Sequence, residues 1–230
     1  MSKVAVIVGV GPGLGASLAH RFAREGFAVG LVARSKDKLL PVEEALKGTR
    51  TVCAPADAGD PKSIAAAFAK IRESLGAPDV LVYNAGAFQM GGILDITPEH
   101  FDACFRANCS GALFSAQQVL PDMIARKSGT ILLTGATASL RGSARFAALA
   151  TGKFALRALA QSMAREFSPQ GIHVAHVVID GQINTPRGPK RDAATMLSPD
   201  AIAETYWQLH TQHPTAWTLE IDLRPSVEKF

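Results

Sequence analysis

The sequence predicts one doubly wound α/β domain over residues 1–230, with a parallel sheet of about seven strands and helices on both faces. Three observations predict it. Short β-branched apolar runs alternate from end to end with segments of helical periodicity. The first run, VAVIV, is unbroken by charge, as expected of a parallel strand buried on both faces. That run passes through a glycine cluster directly into a helical pattern, the order that right-handed crossover units require.

Val4–Gly15 reads VAVIVGVGPGLG. Gly9, Gly11, Gly13 and Gly15 let the backbone turn sharply and approach a ligand closely. Leu14, Leu18, Ala19, Phe22 and Ala23 then share one helix face. A strand, a glycine loop and a helix N-terminus together form an anion site, because free N–H groups and the helix dipole both favour a phosphate. This is the setting of a dinucleotide fingerprint in a Rossmann-type domain, and Leu14 belongs to it as the first helical residue.

Phe27–Val32 reads as the second strand, followed by Ala33-Arg34-Ser35 and a polar helix, Lys36–Lys47. Here such a fold meets the adenosine ribose, where an acid suits the 2′-hydroxyl of NAD and an Arg suits a 2′-phosphate. Arg34 is present and the first carboxylate is Asp37, so NADP(H) is expected over NAD(H). Thr51–Pro55 is a third strand, leading into Ala56-Asp57-Ala58. Pro61–Leu75 is a helix with Ile64, Ala67, Phe68 and Ile71 on one face.

Val80–Tyr83 is a fourth strand running into Asn84-Ala85-Gly86, a second glycine-bearing loop at a strand's carboxyl end. Pro98–Arg126 reads as one long helix, with Asn108 set in an apolar stripe as a core amide or a site residue. Thr130–Leu133 is a fifth strand, followed by TGATASLRGSARF. Leu149–Phe167 carries a stripe of Leu156, Leu159, Ala160, Met163 and Phe167. Gly171–Ile179 is a sixth strand, followed by Asp180-Gly181 and a Pro/Gly-rich stretch, Thr185–Ser198, expected to act as a substrate lid carrying Arg187, Lys190 and Arg191. Pro199–His210 is a helix and Trp217–Leu223 the last strand. The loops that can carry chemistry all fall at the carboxyl edge of the sheet, where such folds bind ligands.

Composition narrows the partners. With 47% hydrophobic residues and a net charge of +4 from scattered Lys and Arg, nothing points to a nucleic-acid surface. Cys53, Cys104 and Cys109 have neither metal-ligand spacing nor an even disulfide set, so no metal is expected and a reduced interior is. No apolar run reaches the ~18 residues of a bilayer span. The opening MSKVAVIVGVGPG reads as a core strand rather than a leader, and the expected location is the cytoplasm.

These motifs together resemble the short-chain dehydrogenase/reductase family over essentially the whole chain. The family's glycine spacing matches Gly9, Gly13 and Gly15, with Val8 where a Thr is usual. Its adenine-contacting Asp matches Asp57, its Asn-Ala-Gly matches Asn84-Ala85-Gly86, its helix Asn matches Asn108, and its active-site Lys matches Lys153. Its carboxamide-contacting Thr matches Thr185, with Ile183 nearby. The resemblance breaks at the chemistry. The family's Tyr, four residues before the Lys, falls on Leu149, and its Ser, thirteen before that, falls on Ala136. Thr137 adjoins the missing Ser and is the best stand-in donor among Thr134, Thr137, Ser139, Ser143 and Thr151.

The resemblance therefore implies an NAD(P)-dependent oxidoreductase, NADP(H) favoured, acting on a small carbonyl, alcohol or activated alkene with an atypical acid/base site. The alternative is a non-catalytic NADP(H)-binding sensor or scaffold. Family members usually assemble through the helices corresponding to Pro98–Arg126 and Leu149–Phe167, which implies a homodimer or homotetramer.

Overall fold

Successive side chains of β1 (Val4–Val8) enter two different cores: Val4, Val6 and Val8 one, Ala5 and Ile7 the other. A strand's side chains alternate faces, so a strand apolar at every position needs a helix layer on each side. The computed structural model, which describes residues 2–186, 188 and 192–228, supplies both layers.

The remaining elements are α1 (Leu14–Arg24), β2 (Ala28–Ala33), α2 (Lys36–Ala45), β3 (Thr51–Pro55), α3 (Pro61–Leu75), β4 (Val80–Tyr83), α4 (Pro98–Phe105), α5 (Gly111–Arg126), β5 (Gly129–Thr134), α6 (Ala147–Phe167), β6 (Ile172–Ile179), α7 (Pro199–His210) and β7 (Glu220–Leu223). The sheet has seven strands in the order β3-β2-β1-β4-β5-β6-β7, every pair parallel. One face is covered by α3, α5 and α6, through residues such as Phe68, Val119 and Leu156. The other is covered by α1, α2 and α7, through Phe22, Leu39 and Tyr206. The order reverses between β1 and β4, the switch point at which doubly wound sheets open a crevice.

Most boundaries agree with the sequence to within a few residues. The long helix does not run unbroken: a π-helical turn, Arg106–Ser110, separates α4 from α5. Asn108 sits in that turn, and its side-chain amide donates to the carbonyl of Cys104, the acceptor its own N–H would use in a regular helix. The wide turn thus keeps its freed acceptor satisfied from within.

Helix starts differ in a way that bears on the site. Asp60, Thr97 and Ser198 each accept a backbone N–H of α3, α4 and α7, and each precedes a Pro at the first helical position. α1 begins after Gly13 with no side-chain cap and no acid in its first turn. Its N-terminal dipole therefore faces the crevice uncompensated by any carboxylate of its own first turn.

Candidate cofactor and active site

The glycine loop is shaped by close approaches of the chain to itself. Gly9 has φ +100°, and a Cβ there would lie 2.3 Å from the Ala85 nitrogen. The Asn84 amide donates to the Gly9 carbonyl at 2.9 Å, tying the ends of β1 and β4 together. A Cβ on Gly15 would lie 2.5 Å from the Gly9 oxygen, and one on Gly13 2.8 Å from Thr185 Cγ2. Gly11 alone of the four looks onto open space. The Leu14 side chain is buried in the core, so its place at the site is through the backbone that starts α1.

A cleft of about 480 Å³ adjoins this loop, within the range of small-molecule sites. It is walled by Gly9, Arg34, Lys38, Asp57, Asn84–Gly86 and Arg106. Arg34, just past β2, and Lys38, in the first turn of α2, are both exposed and both line the cleft. Asp57 is held by its own loop: its Oδ1 accepts from the Gly59 N–H at 2.9 Å, and its N–H donates to Ser63 Oγ at 3.0 Å. Lys38 and Arg106 were not singled out in the sequence. Lys38 lies in the first turn of α2, and it is the path of the chain from β2 into α2 that brings it to the same cleft as Arg34.

Deeper in, Asn108 and Lys153 meet. Lys153 is 7% exposed and its ammonium donates to the Thr134 carbonyl at 2.8 Å. Burial pushes its pKa down to about 8. The Asn108 amide donates to the Ala87 and Cys104 carbonyls at 2.8 and 2.9 Å, while its buried Oδ1 has no hydrogen-bond partner among the described residues. Both groups point past Gly86, where a Cβ would lie 2.9 Å from Asn108 Oδ1 and 3.7 Å from Lys153 Nζ. Gly152 lets α6 close on the π-turn, since a Cβ there would lie 2.7 Å from Asn108 Cβ.

A second hollow of about 290 Å³ is lined by Ala136, Thr137, Phe146, Leu149, Ile179 and Gly181, with Arg141 and Ser143 also present, and Leu149 lies one turn of α6 before Lys153. Phe146 meets Phe88 edge-on at 5.7 Å. Of the five hydroxyls considered from sequence, Thr137 and Ser143 line it. Thr134 pairs with the Tyr206 hydroxyl at 2.7 Å, Thr151 bonds to the Ala147 carbonyl, and Ser139 accepts from the Ala136 N–H at 3.1 Å. Tyr83 donates to the Ala107 carbonyl, so both tyrosines are buried on protein partners. The Thr137 hydroxyl donates to Asp180, a buried carboxylate that also lies 3.4 Å from Arg224. His173 and His176 are structural here: His173 bonds to the Thr218 carbonyl and His176 to Glu220, itself clamped by both guanidinium arms of Arg157.

Ile183 is bridged to Leu197, and Thr185 packs against Gly13, so both reach the carboxyl edge beside α1. The expected lid cations Arg187, Lys190 and Arg191 lie outside the described residues. Among the described residues there is no group of three His, Cys, Asp or Glu side chains able to hold a metal. No described helix is long and apolar enough to cross a membrane.

Comparison with known proteins agrees with this geometry. The short chain dehydrogenase family pattern matches residues 3–195. The chain is 34% identical over 186 residues to oxidoreductase UcpA of Escherichia coli, covering 80% of this chain and 70% of that protein. A crystal structure of a short-chain dehydrogenase from Rhodopseudomonas palustris is 36% identical and superimposes with a TM-score of 0.85 over 97% of this chain and 98% of that one. A metagenomic short-chain oxidoreductase in complex with NADP is 30% identical, with a TM-score of 0.86 over 98% of each chain.

Proposed function

The chain belongs to the short chain dehydrogenase family and is an NAD(P)-dependent oxidoreductase; we propose that it uses NADP(H) on a small carbonyl, alcohol or activated alkene, with an atypical acid/base site. The observation that carries the NADP(H) reading is the pair Arg34 and Lys38 at the cleft, where a 2′-phosphate would be met by two cations.

The residues present fit the cofactor. A buried, unpartnered Asn108 Oδ1 calls for a donor from a guest, since an unsatisfied buried acceptor costs about 1–3 kcal/mol. The loop through Gly9, Gly11, Gly13 and Gly15, with the uncapped start of α1 at Leu14, would hold the diphosphate. Asp57 would take the adenine side, Asn84, Ala85 and Gly86 would line the cleft floor, and Ile183 and Thr185 would meet the carboxamide. Lys153, with Asn108 beside it, would hold the nicotinamide ribose hydroxyls. The bound nicotinamide supplies hydride exchange with a substrate carbon.

Leu149 and Ala136 stand where the family's Tyr and Ser act, and hydrocarbon there neither donates a proton nor polarises an oxygen. Such groups contribute ~10²–10⁴-fold when positioned. Thr137, lining the same hollow, is the hydroxyl left to act. We read the assembly as a homodimer or homotetramer through α5 and α6, whose Leu113 and Phe154 are exposed.

Fluorescence titration with NADPH and NADH tests the cofactor reading. The double variant Arg34→Ala, Lys38→Ala should lose about tenfold or more in NADPH affinity while NADH affinity stays within about twofold. Equal loss for both removes the 2′-phosphate assignment. Tight NADPH binding without turnover of any carbonyl, alcohol, enone or imine replaces the enzyme reading with that of a non-catalytic dinucleotide holder.

A further inference from the structure

Thr137 and Asp180 lie just past the ends of neighbouring strands, Thr137 in the 3-10 turn that follows β5 and Asp180 directly after β6. In the β5–β6 register Thr134 faces Val177, and each of the two residues lies three positions further on. Their side chains therefore emerge side by side at the sheet's carboxyl edge, although 43 residues apart in the chain. Asp180 is 6% exposed, and a carboxylate so placed needs partners. It has the Thr137 hydroxyl on Oδ1 and Arg224, itself bonded to Asp222, on Oδ2. Among the described residues Arg141 lines the same hollow, and the Glu228 carboxylate lies 3.3 Å from where a Gly181 Cβ would be.

An ionised carboxylate only accepts, so the Thr137 hydrogen is committed to Asp180. The oxygen of Thr137 then offers lone pairs to a guest, and the partner it takes must itself carry a donor hydrogen such as an O–H. A carbonyl lacks one. Ala136, Phe146, Leu149 and Ile179 give the hollow of about 290 Å³ an apolar wall, with Arg141 and Ser143 as its further polar lining.

We infer that Thr137 and Asp180 form the oxygen-recognition and proton-relay pair of this site, and that they select the alcohol member of the redox couple, a small secondary alcohol with an apolar body. This rests on the oxidoreductase reading above. In the oxidation, the carbinol C–H bond breaks with its electron pair leaving as hydride to NADP⁺. The C–O bond becomes C=O, the O–H proton passes to Thr137 Oγ1, and the Thr137 proton passes to Asp180. The alcohol loses two electrons, NADP⁺ gains them, and the proton is released from Asp180 to solvent. Thr137 is the group that touches substrate; Asp180 acts through it, and Arg224 holds Asp180 in place.

The test uses the full chain with NADP⁺ bound, in wild type, Thr137→Ser, Thr137→Val and Asp180→Asn. Protein labelled with ¹³C at Asp carboxyls is titrated with trifluoroethanol, an alcohol that resists oxidation, and the same variants are assayed on a panel of small secondary alcohols. Trifluoroethanol should move the Asp180 carboxyl resonance, assigned by its loss in Asp180→Asn, in wild type and Thr137→Ser but not in Thr137→Val. Turnover should fall about 100-fold or more in Thr137→Val and Asp180→Asn, survive in Thr137→Ser, and leave NADP⁺ affinity within about twofold throughout. A carboxyl response that persists in Thr137→Val, or turnover unchanged in Asp180→Asn, overturns the pair. If no alcohol is oxidised, a carboxyl response that depends on Thr137 still upholds the recognition pair, and what fails is the oxidoreductase reading; without that response the pair fails too.

Discussion

Asn108 Oδ1 and Lys153 Nζ converge on the same side of Gly86, an unpaired acceptor beside a buried donor that already holds the Thr134 carbonyl. The π-turn brings one of them and α6 the other. Neither group is fully satisfied by the protein alone, which is the condition of a place built for a polar guest.

The Lys153 ammonium makes folding pH-dependent. Its pKa is about 8 in the folded chain and near its ordinary 10.5 when unfolded. Below pH 8 both states carry the proton and the folded one bears the cost of burying it. Between pH 8 and 10.5 the folded state sheds the proton while the unfolded state keeps it, so stability rises with pH. Urea unfolding of the ligand-free protein should show wild type gaining up to about 3 kcal/mol on Lys153→Met across that window. Parallel curves would refute the burial of a charge.

His210 works in the opposite pH range. It packs among Phe22, Phe27 and Trp207, with Thr130 Oγ1 on its Nδ1 at 2.9 Å, and burial pushes its pKa down to about 4. Lys3 and His173 push the same way and Asp79 opposes them. Its neutral form is fully in place above pH 6.5, and stability falls as pH drops from 6.5 toward 4, where the unfolded chain takes the proton first. The wild type should lose up to about 3 kcal/mol relative to His210→Gln over that interval in thermal or urea melts.

Two glycines of one loop should answer differently to alanine. Gly9→Ala meets the Ala85 backbone at 2.3 Å from a left-handed φ, so the ends of β1 and β4 must part and Tm should fall by several degrees or more. Gly11→Ala meets nothing within 4 Å, so Tm should stay within a degree or two. NADPH affinity should nevertheless drop about tenfold or more, as a methyl enters the space where a diphosphate would approach. Equal stability of the two variants would contradict the loop's geometry.

The strands were legible because a sheet covered on both faces writes itself as unbroken apolar runs, of which VAVIV is the clearest. The glycine loop was legible because positive φ and close approach leave few alternatives at Gly9. The break in the long helix was not, since RANCS carries no Pro or Gly and suits a regular helix as well as a wide one. Asp180 could be seen as a carboxylate ending an apolar strand, but its pairing with Thr137 depends on strand register, which no local pattern states. Lys38 reads as one more surface cation until the first turn of α2 brings it to the cleft that Arg34 also lines.

The wide turn at 106–110 also constrains the chain by count rather than by kind. A regular helix advances about 100° per residue. A wide turn takes up one residue more than ordinary helix, so deleting one residue from this segment would let it close to ordinary helix with α4 and α5 still in phase, and the residue at the turn would lose its present direction. α4 packs on α6 and α5 on both α3 and α6, so the two halves keep their neighbours. The number of residues between Phe105 and Gly111 is what keeps Asn108 aimed at Lys153.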